Sequence, residues 1–302
     1  MFMSEQMKVG FIGTGSIGTP MAIRLLAAVD ELIVFDVRKE AIAPLLAQGA
    51  VAASSPRGIA DRAEIVVLSL PTKESFLSVM LGSDGCIHGT RVRIIVNTST
   101  MGMPCVQEVA AECEKRGVRL VDCPISGGVS GAAEGTLSVM VSGDPEAIET
   151  VRPLLARWGK ITVAGTVPGI AQVLKLTNNI LSIVALVATS EALVMAAKAG
   201  LDPEVMIAAI NAGTGRNSAT VSKFPVSVLD RSFSFGSSIA ILMKDADLAI
   251  AQGEALGVPM WVCQAARLVY KQAVYLGSAQ QDVTTIVQHI ERAAMFEIPK
   301  TR

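Results

Sequence analysis

Lys8-Val-Gly-Phe-Ile-Gly-Thr-Gly-Ser-Ile-Gly-Thr-Pro-Met-Ala-Ile-Arg-Leu-Leu26 decides how this chain folds. Lys8 to Ile12 is a short apolar run of the kind that forms a buried strand. Gly13, Gly15 and Gly18 come next, and Met21, Leu25 and Ala28 then recur at helical spacing. The expected unit is strand, glycine turn, helix. In such a unit Gly13 makes the tight turn, Gly15 lets a pyrophosphate approach the backbone, and Gly18 lets helix and strand pack closely. The helix N-terminus then faces the phosphates. With Ser16 and Ile17 between them, these glycines form a candidate dinucleotide cradle. A glycine turn in an α/β protein without a cofactor is the simpler alternative. The preceding strand, the succeeding helix and an acid 18 residues past Gly18 favour the cofactor.

That acid is Asp36, at the end of a second apolar run, Leu32 to Phe35. A carboxylate there can hydrogen-bond ribose hydroxyls and repel a 2′-phosphate, so NAD is expected. Arg38 and Lys39 lie close enough in sequence to tolerate a phosphate, which leaves NADP possible.

Outward from this stretch, strands and helices alternate. Helix is expected at 38–48, 106–115 and 145–158, and strand at 51–52, 65–70, 94–96, 119–123, 137–142 and 161–164. Thr72 is a plausible helix cap. Gly127 to Gly135 reads as a glycine-rich loop. From Pro168 the strand signals stop. A long helix covers 171–198, and further helices are expected near 203–212, 217–229, 238–256, 259–276 and 282–295, the first with Asp202 as cap and Pro203 at its first position. The fold class is α/β: a doubly wound, largely parallel sheet followed by an all-α region. The boundary falls near residue 166, giving domains 1–165 and 166–302 with the long helix joining them.

Composition narrows the function. The chain has 302 residues, 51% of them apolar, and a net charge of −1 from 26 basic and 27 acidic side chains. With no basic run, a nucleic-acid partner is not expected. Cys86, Cys105, Cys113, Cys123 and Cys263 are scattered and form no CxxC pair, which fits reduced thiols in the cytoplasm. His88 and His289 are the only histidines, too few for a histidine-rich metal site, and no metal is expected. The N-terminal residues lack the apolar core of a signal peptide. Ile180 to Ala197 is the most membrane-like run, but Ser182, Thr189, Ser190 and Glu191 interrupt it, so it reads as a buried helix.

The chemistry concentrates in Gly165-Thr-Val-Pro-Gly-Ile-Ala-Gln-Val-Leu-Lys-Leu-Thr-Asn-Asn179. Lys175 and Asn179 stand four residues apart, one turn along one helical face. A lysine in an apolar stripe has its charged form penalised, which moves its pKa toward the range useful for proton transfer. A lysine snorkelling to water is the bland alternative. Asp122 to Leu137 adds Ser126, whose hydroxyl is available, and Gly127 and Gly128, whose amides are unobstructed. Such a loop can bind a carboxylate without a cation.

These stretches, with the later Lys244-Asp-Ala-Asp-Leu-Ala249, resemble the four ordered motifs of the β-hydroxyacid dehydrogenases, the family of 3-hydroxyisobutyrate dehydrogenase and tartronate semialdehyde reductase. The likeness runs from about Lys8 to Ala294. It implies a Rossmann-type N-terminal domain and hydride transfer between a nicotinamide and a small 3-hydroxy acid. It implies Lys175 as general acid/base, Ser126, Gly127, Gly128 and Asn179 as holders of the substrate, and Lys244 near substrate and nicotinamide. It further implies Leu70, Pro71 and Thr72 along the cofactor path, Thr100 by the nicotinamide ribose, and a homodimer or homotetramer. Cys123 stands where the family commonly has alanine, which fits packing rather than redox chemistry. A non-catalytic dinucleotide-binding module is the reading from another class, but Lys175, Asn179 and Lys244 together argue against it. An imine reductase is less favoured, because relatives with that activity replace the lysine. A 6-phosphogluconate-type enzyme would need a longer chain and a basic cluster. Substrate choice is expected to lie in the C-terminal region. There, Arg216 in the polar break Asn211 to Ser218, together with Asn217, is the candidate reader of a distal polar group.

Overall fold

The computed structural model describes residues 7–301, which divide after Lys175 into two compact units. In the first, strand β1 (Lys8–Ile12) leads through the glycine turn into helix α1 (Gly18–Leu26), and β2 (Glu31–Phe35) lies parallel beside β1. A 3₁₀ turn at Lys39–Ile42 and a single α-turn, α2 (Ala43–Leu46), replace the continuous helix expected at 38–48. Then come β3 (Val51–Ala52), α3 (Pro56–Ala60), β4 (Ile65–Leu68), α4 (Lys73–Leu81), β5 (Ile94–Asn97), α5 (Met103–Glu114) and β6 (Arg119–Asp122). The strands run parallel in the order β3-β2-β1-β4-β5-β6.

The expected loop after β6 is instead built. It holds β7 (Ile125–Ser126), helix α6 (Gly128–Glu134) and then β8 (Leu137–Ser142), which runs antiparallel to both β6 and β7. Its glycines serve geometry rather than freedom. Gly127 and Gly128 take positive φ (134° and 69°) to turn the chain into the helix, and Gly135 (φ 75°) ends it in the left-handed region. Helix α7 (Pro145–Leu155) and edge strand β9 (Gly159–Gly165), parallel to β8, complete the unit.

Alternate residues of the same strands enter two different apolar layers. Phe11, Val34, Val67, Val96 and Val121 pack with Met21, Leu25 and Trp158. Ile12, Ile33, Val66, Leu68, Ile95 and Leu120 pack with Phe76, Val106 and Val109 on the opposite face. Both faces of the sheet are therefore covered, which is why these strands read as continuous apolar runs rather than alternating ones.

Helix α8 (Ile170–Lys198) is 29 residues long. By length and composition it could cross a bilayer, but half of its most apolar window is buried inside the protein. The second unit continues with α9 (Pro203–Ala212), capped by Asp202 through the amides of Glu204 and Val205 as its sequence predicted. Next are α10 (Ile239–Ala255), α11 (Trp261–Tyr275) and α12 (Ile286–Ala293). Their core gathers around Phe224, Tyr270, Leu193 and Ile286. The Arg231 guanidinium donates to both oxygens of Glu291, at 2.6 and 2.9 Å, and ties the segment after residue 230 to α12.

The helix expected at 217–229 is a π-helix over Ala219–Val228. Leu229 N donates to Phe224 O at 3.0 Å, the five-residue step of that geometry. Pro225 lies inside it, where an α-turn would press the ring on the carbonyl four residues back. The buried side chains come in pairs every four residues: Ala219 with Thr220, Lys223 with Phe224, Ser227 with Val228. Lys223 is the one charged member of that ridge.

Candidate active site

The glycine turn is shaped by contact. A Cβ on Gly13 would meet Ser69 O at 2.2 Å, and one on Gly18 would meet Gly13 O at 1.9 Å. Neither position admits a side chain, since both distances are far inside van der Waals contact. A Cβ on Gly15 would have only an Arg38 guanidinium nitrogen, 3.8 Å away. Gly15 thus leaves open backbone beside the turn at the start of α1, the space a pyrophosphate needs. Asp36 reaches this turn. One carboxylate oxygen accepts from Thr14 N at 2.9 Å and the other from Arg38 N at 2.9 Å. Arg38 itself is largely exposed, with its guanidinium 3.6 Å from Asp36. The residues present fit a dinucleotide: a glycine cradle, a carboxylate at the ribose position and an exposed cation beside it.

Leu70, Pro71 and Thr72 form the turn after β4. Leu70 N donates to Ser99 Oγ at 2.8 Å, and Thr72 caps α4 in a reciprocal box with Ser75. Thr100 is half-buried in the segment after β5. Ser126 ends β7, paired with Ser138 of β8, and no side chain caps the first turn of α6 that Gly128 opens.

The start of α8 is held by a residue that none of the motif arguments singles out. Gln172 is fully buried and uses all its hydrogen-bonding capacity. Its carbonyl oxygen accepts from Met101 N (2.8 Å) and Gly102 N (3.1 Å), while its amide donates to Ser99 O (3.0 Å) and Asp122 Oδ1 (2.6 Å). Asn97 Nδ2 donates to the same aspartate oxygen at 3.4 Å. Burial pushes the Asp122 carboxyl up to about 7, against the pull of these donors, and its Oδ2 has no hydrogen-bond partner among the described residues. Gln172 stands three residues before Lys175. That spacing, on a helix that carries a candidate acid/base, is the signal available in the sequence.

Lys175 and Asn179 are both buried, at 7% and 8% exposure, as the apolar stripe predicted. Within the second unit, Asn179 Nδ2 donates to Asp245 Oδ2 at 2.7 Å, and Asn178 Nδ2 donates to Asn179 Oδ1 at 3.1 Å. Lys244 Nζ lies 3.2 Å from the other Asp245 oxygen. Asp245, itself buried, therefore joins two residues that the motifs named separately. Its place directly after Lys244 is the only sequence signal. Arg216 is exposed, and the Asn217 side chain accepts from the amides of Ala219 and Thr220, capping the π-helix. Cys123 is fully buried and its thiol is pushed far up by burial, in keeping with packing. No group of three or more potential metal ligands occurs among the described residues.

Comparison with known proteins supplies the chemistry that this geometry serves. Residues 8–167 match the family described as the NAD binding domain of 6-phosphogluconate dehydrogenase, and residues 169–290 the one described as NAD-binding of NADP-dependent 3-hydroxyisobutyrate dehydrogenase. The chain is 33% identical to 2-hydroxy-3-oxopropionate reductase of Escherichia coli, over 97% of this chain and all of that protein. It is 30% identical to 2-(hydroxymethyl)glutarate dehydrogenase of Eubacterium barkeri, over 95% of both. Its fold is similar to that of Mycobacterium tuberculosis 3-hydroxyisobutyrate dehydrogenase with L-serine, at TM-score 0.85 and 29% identity, covering 94% of this chain and 99% of the other. Two halves matched in order, the open cradle at Gly15 and the buried Lys175 and Asn179 lead to one conclusion: the chain belongs to the 3-hydroxyisobutyrate dehydrogenase family of β-hydroxyacid dehydrogenases, NAD(P)-dependent oxidoreductases of small hydroxy acids.

Proposed function

We propose that Lys175 is the general acid/base for hydride transfer between a nicotinamide and a short 3-hydroxy acid, of the 3-hydroxyisobutyrate or 2-hydroxy-3-oxopropionate type. The observation that carries this reading is a buried lysine one helical turn from a buried carboxamide, on a helix whose first turn Gln172 fixes. Neutral Lys175 takes the hydroxyl proton as the carbinol carbon is oxidised, and in the reverse direction its ammonium form protonates the carbonyl oxygen. Such a positioned proton carrier contributes about 10²–10⁴-fold. The nicotinamide, when bound, accepts or donates the hydride. Ser126 and the amides at Gly127 and Gly128 hold the substrate carboxylate. Asn179 and Lys244, oriented by Asp245, hold the hydroxyl end. Gly13, Gly15, Ser16, Ile17 and Gly18 carry the pyrophosphate, Leu70 to Thr72 and Thr100 flank the nicotinamide half, and Asp36 selects NAD over NADP.

Residues 1–165 serve the dinucleotide, and 166–302 serve substrate choice and assembly. A homodimer or homotetramer fits the apolar side chains exposed on α11, among them Trp261, Val262, Leu268 and Tyr275. A cytoplasmic location fits the five free cysteines. The reading involves no metal, membrane or nucleic acid. Its test is a panel of three- to six-carbon 3-hydroxy acids assayed with NAD and with NADP. Turnover of at least one acid, faster with NAD, is expected. Cofactor binding without turnover of any acid would leave a binding module instead.

A further inference from the structure

The second unit holds a buried cation that the proton transfer at Lys175 does not use. Lys223 is 7% exposed. Its Nζ donates to Ser182 Oγ at 2.7 Å and lies 5.4 Å from the centre of the Phe235 ring. No carboxylate among the described residues lies within ion-pair distance of it. Burial alone lowers its pKa to about 8, with no neighbouring charge contributing. Arg231, a second cation drawn into this unit, is matched in both hydrogen bonds and charge by Glu291 and Glu297. A buried ammonium with one hydroxyl partner and no counter-charge is costly to keep, unless a ligand completes it.

Its position says which ligand. Ser182 lies on α8, seven residues past Lys175 and three past Asn179. At 100° per residue the three share one helical face, and at 1.5 Å rise Ser182 is about 10 Å along the axis from Lys175. Ser218 Oγ approaches Ser182 Oγ at 3.5 Å, so a second hydroxyl flanks the site. The face that carries the proton-transfer lysine thus ends, two turns on, at an uncompensated positive charge.

We propose that Lys223, seated on Ser182, binds an anionic group at the distal end of the substrate, so that the preferred acid carries a second carboxylate. This rests on the dehydrogenase reading and names the substrate class within it. It also moves the selecting cation from Arg216, which is exposed, to a side chain that the π-helix turns inward.

The test uses two acids with the same reacting centre, 3-hydroxyisobutyrate and 2-(hydroxymethyl)glutarate, which differ in carrying a methyl or a carboxyethyl group. The wild-type enzyme should favour the dicarboxylate by at least tenfold in kcat/KM. Lys223→Met should lower that ratio at least tenfold, through KM rather than kcat, and Lys223→Arg should retain most of it. A wild-type ratio near one, an unchanged ratio in Lys223→Met, or equal losses in the Met and Arg variants would overturn the assignment. Thermal protection by glutarate gives a readout without turnover. Protection of the wild type but not of Lys223→Met supports the site even if neither acid reacts, in which case the catalytic reading alone fails. Equal protection of both proteins sinks the site whatever the kinetics.

Discussion

Gln172 and Lys223 are both buried polar side chains, and they are satisfied to opposite degrees. Gln172 makes four hydrogen bonds, two as acceptor and two as donor. Lys223 makes one, to a serine hydroxyl, and beside the Phe235 ring its charge has no carboxylate partner among the described residues. A saturated amide has nothing left to offer a ligand, so its role is to fix backbone. An ammonium with donors to spare is a place of reception, tolerated at some loss of stability. The contrast separates groups that hold the site together from groups that await something.

The largest effect expected is at Lys175, which belongs by its proposed role with the receiving groups. Lys175→Ala should lower kcat by about 10²-fold or more while cofactor binding, read by fluorescence titration, stays within a few-fold. Retention of a tenth of the wild-type kcat would remove Lys175 as acid/base.

Gln172→Leu should break the holding side. It leaves the amides of Met101 and Gly102 and the Asp122 oxygen without their partner, a loss on the order of 2–4 kcal/mol for several buried groups at once. Hydrogen exchange should show faster exchange at Met101 and Gly102. Unchanged protection there would mean the network is dispensable.

Lys223→Met should act with the opposite sign. The folded-state pKa of about 8 lies below the ordinary 10.5, so between those values the unfolded chain binds more protons. Stability therefore rises with pH from about 8 to 10.5, and below pH 8 the full penalty is present. Methionine removes it, so the variant should be more stable at pH 7 by on the order of 3 kcal/mol and lack that slope. Denaturant midpoints at pH 7 and pH 10 measure both. A less stable variant at pH 7 would show that Lys223 is a holding group after all.

The smallest effect is at Asp36, where one carboxylate does some of each. Asp36→Ser frees Thr14 N and Arg38 and removes the repulsion of a 2′-phosphate. The ratio of kcat/KM for NAD over NADP should fall about tenfold, the scale of a single charged contact. A wild-type preference for NADP would end that assignment before any variant is made.

Local spacing is what a sequence displays most openly. Gly13 and Gly18 each have a steric reason at their own position, Gly15 leaves the backbone open, and the strands of the sheet are apolar throughout because both faces are covered. Lys175 and Asn179 are visible because a helix repeats. The hidden features depend on partners far along the chain. Gln172 meets Met101, Ser99 and Asp122, between 50 and 73 residues away, and nothing near it announces them. Asp245 meets Asn179 across 66 residues. The segment at 127–135 passes for a loop because glycine signals freedom and equally signals a demand for positive φ. The segment at 217–229 passes for the commoner helix, and at that period its buried ridge, with Lys223 in it, does not stand out.

The wide turn at Ala219–Val228 bears on how this part of the chain can diverge. A π-helix corresponds to an α-helix with surplus residues in its turns. Deleting one residue ahead of Lys223, with the wide turn kept, would move each residue beyond the deletion back one place in the coil. Phe224 would then occupy the place beside Ser182, and an ammonium would give way to an aromatic ring in one genetic event. Point substitutions change this neighbourhood one contact at a time, whereas a length change exchanges its chemical character outright. On the proposed role of Lys223, substrate scope would then depend on segment length as well as on residue identity. Homologues one residue shorter between Asn217 and Leu229 are where preference for an apolar acid is to be sought.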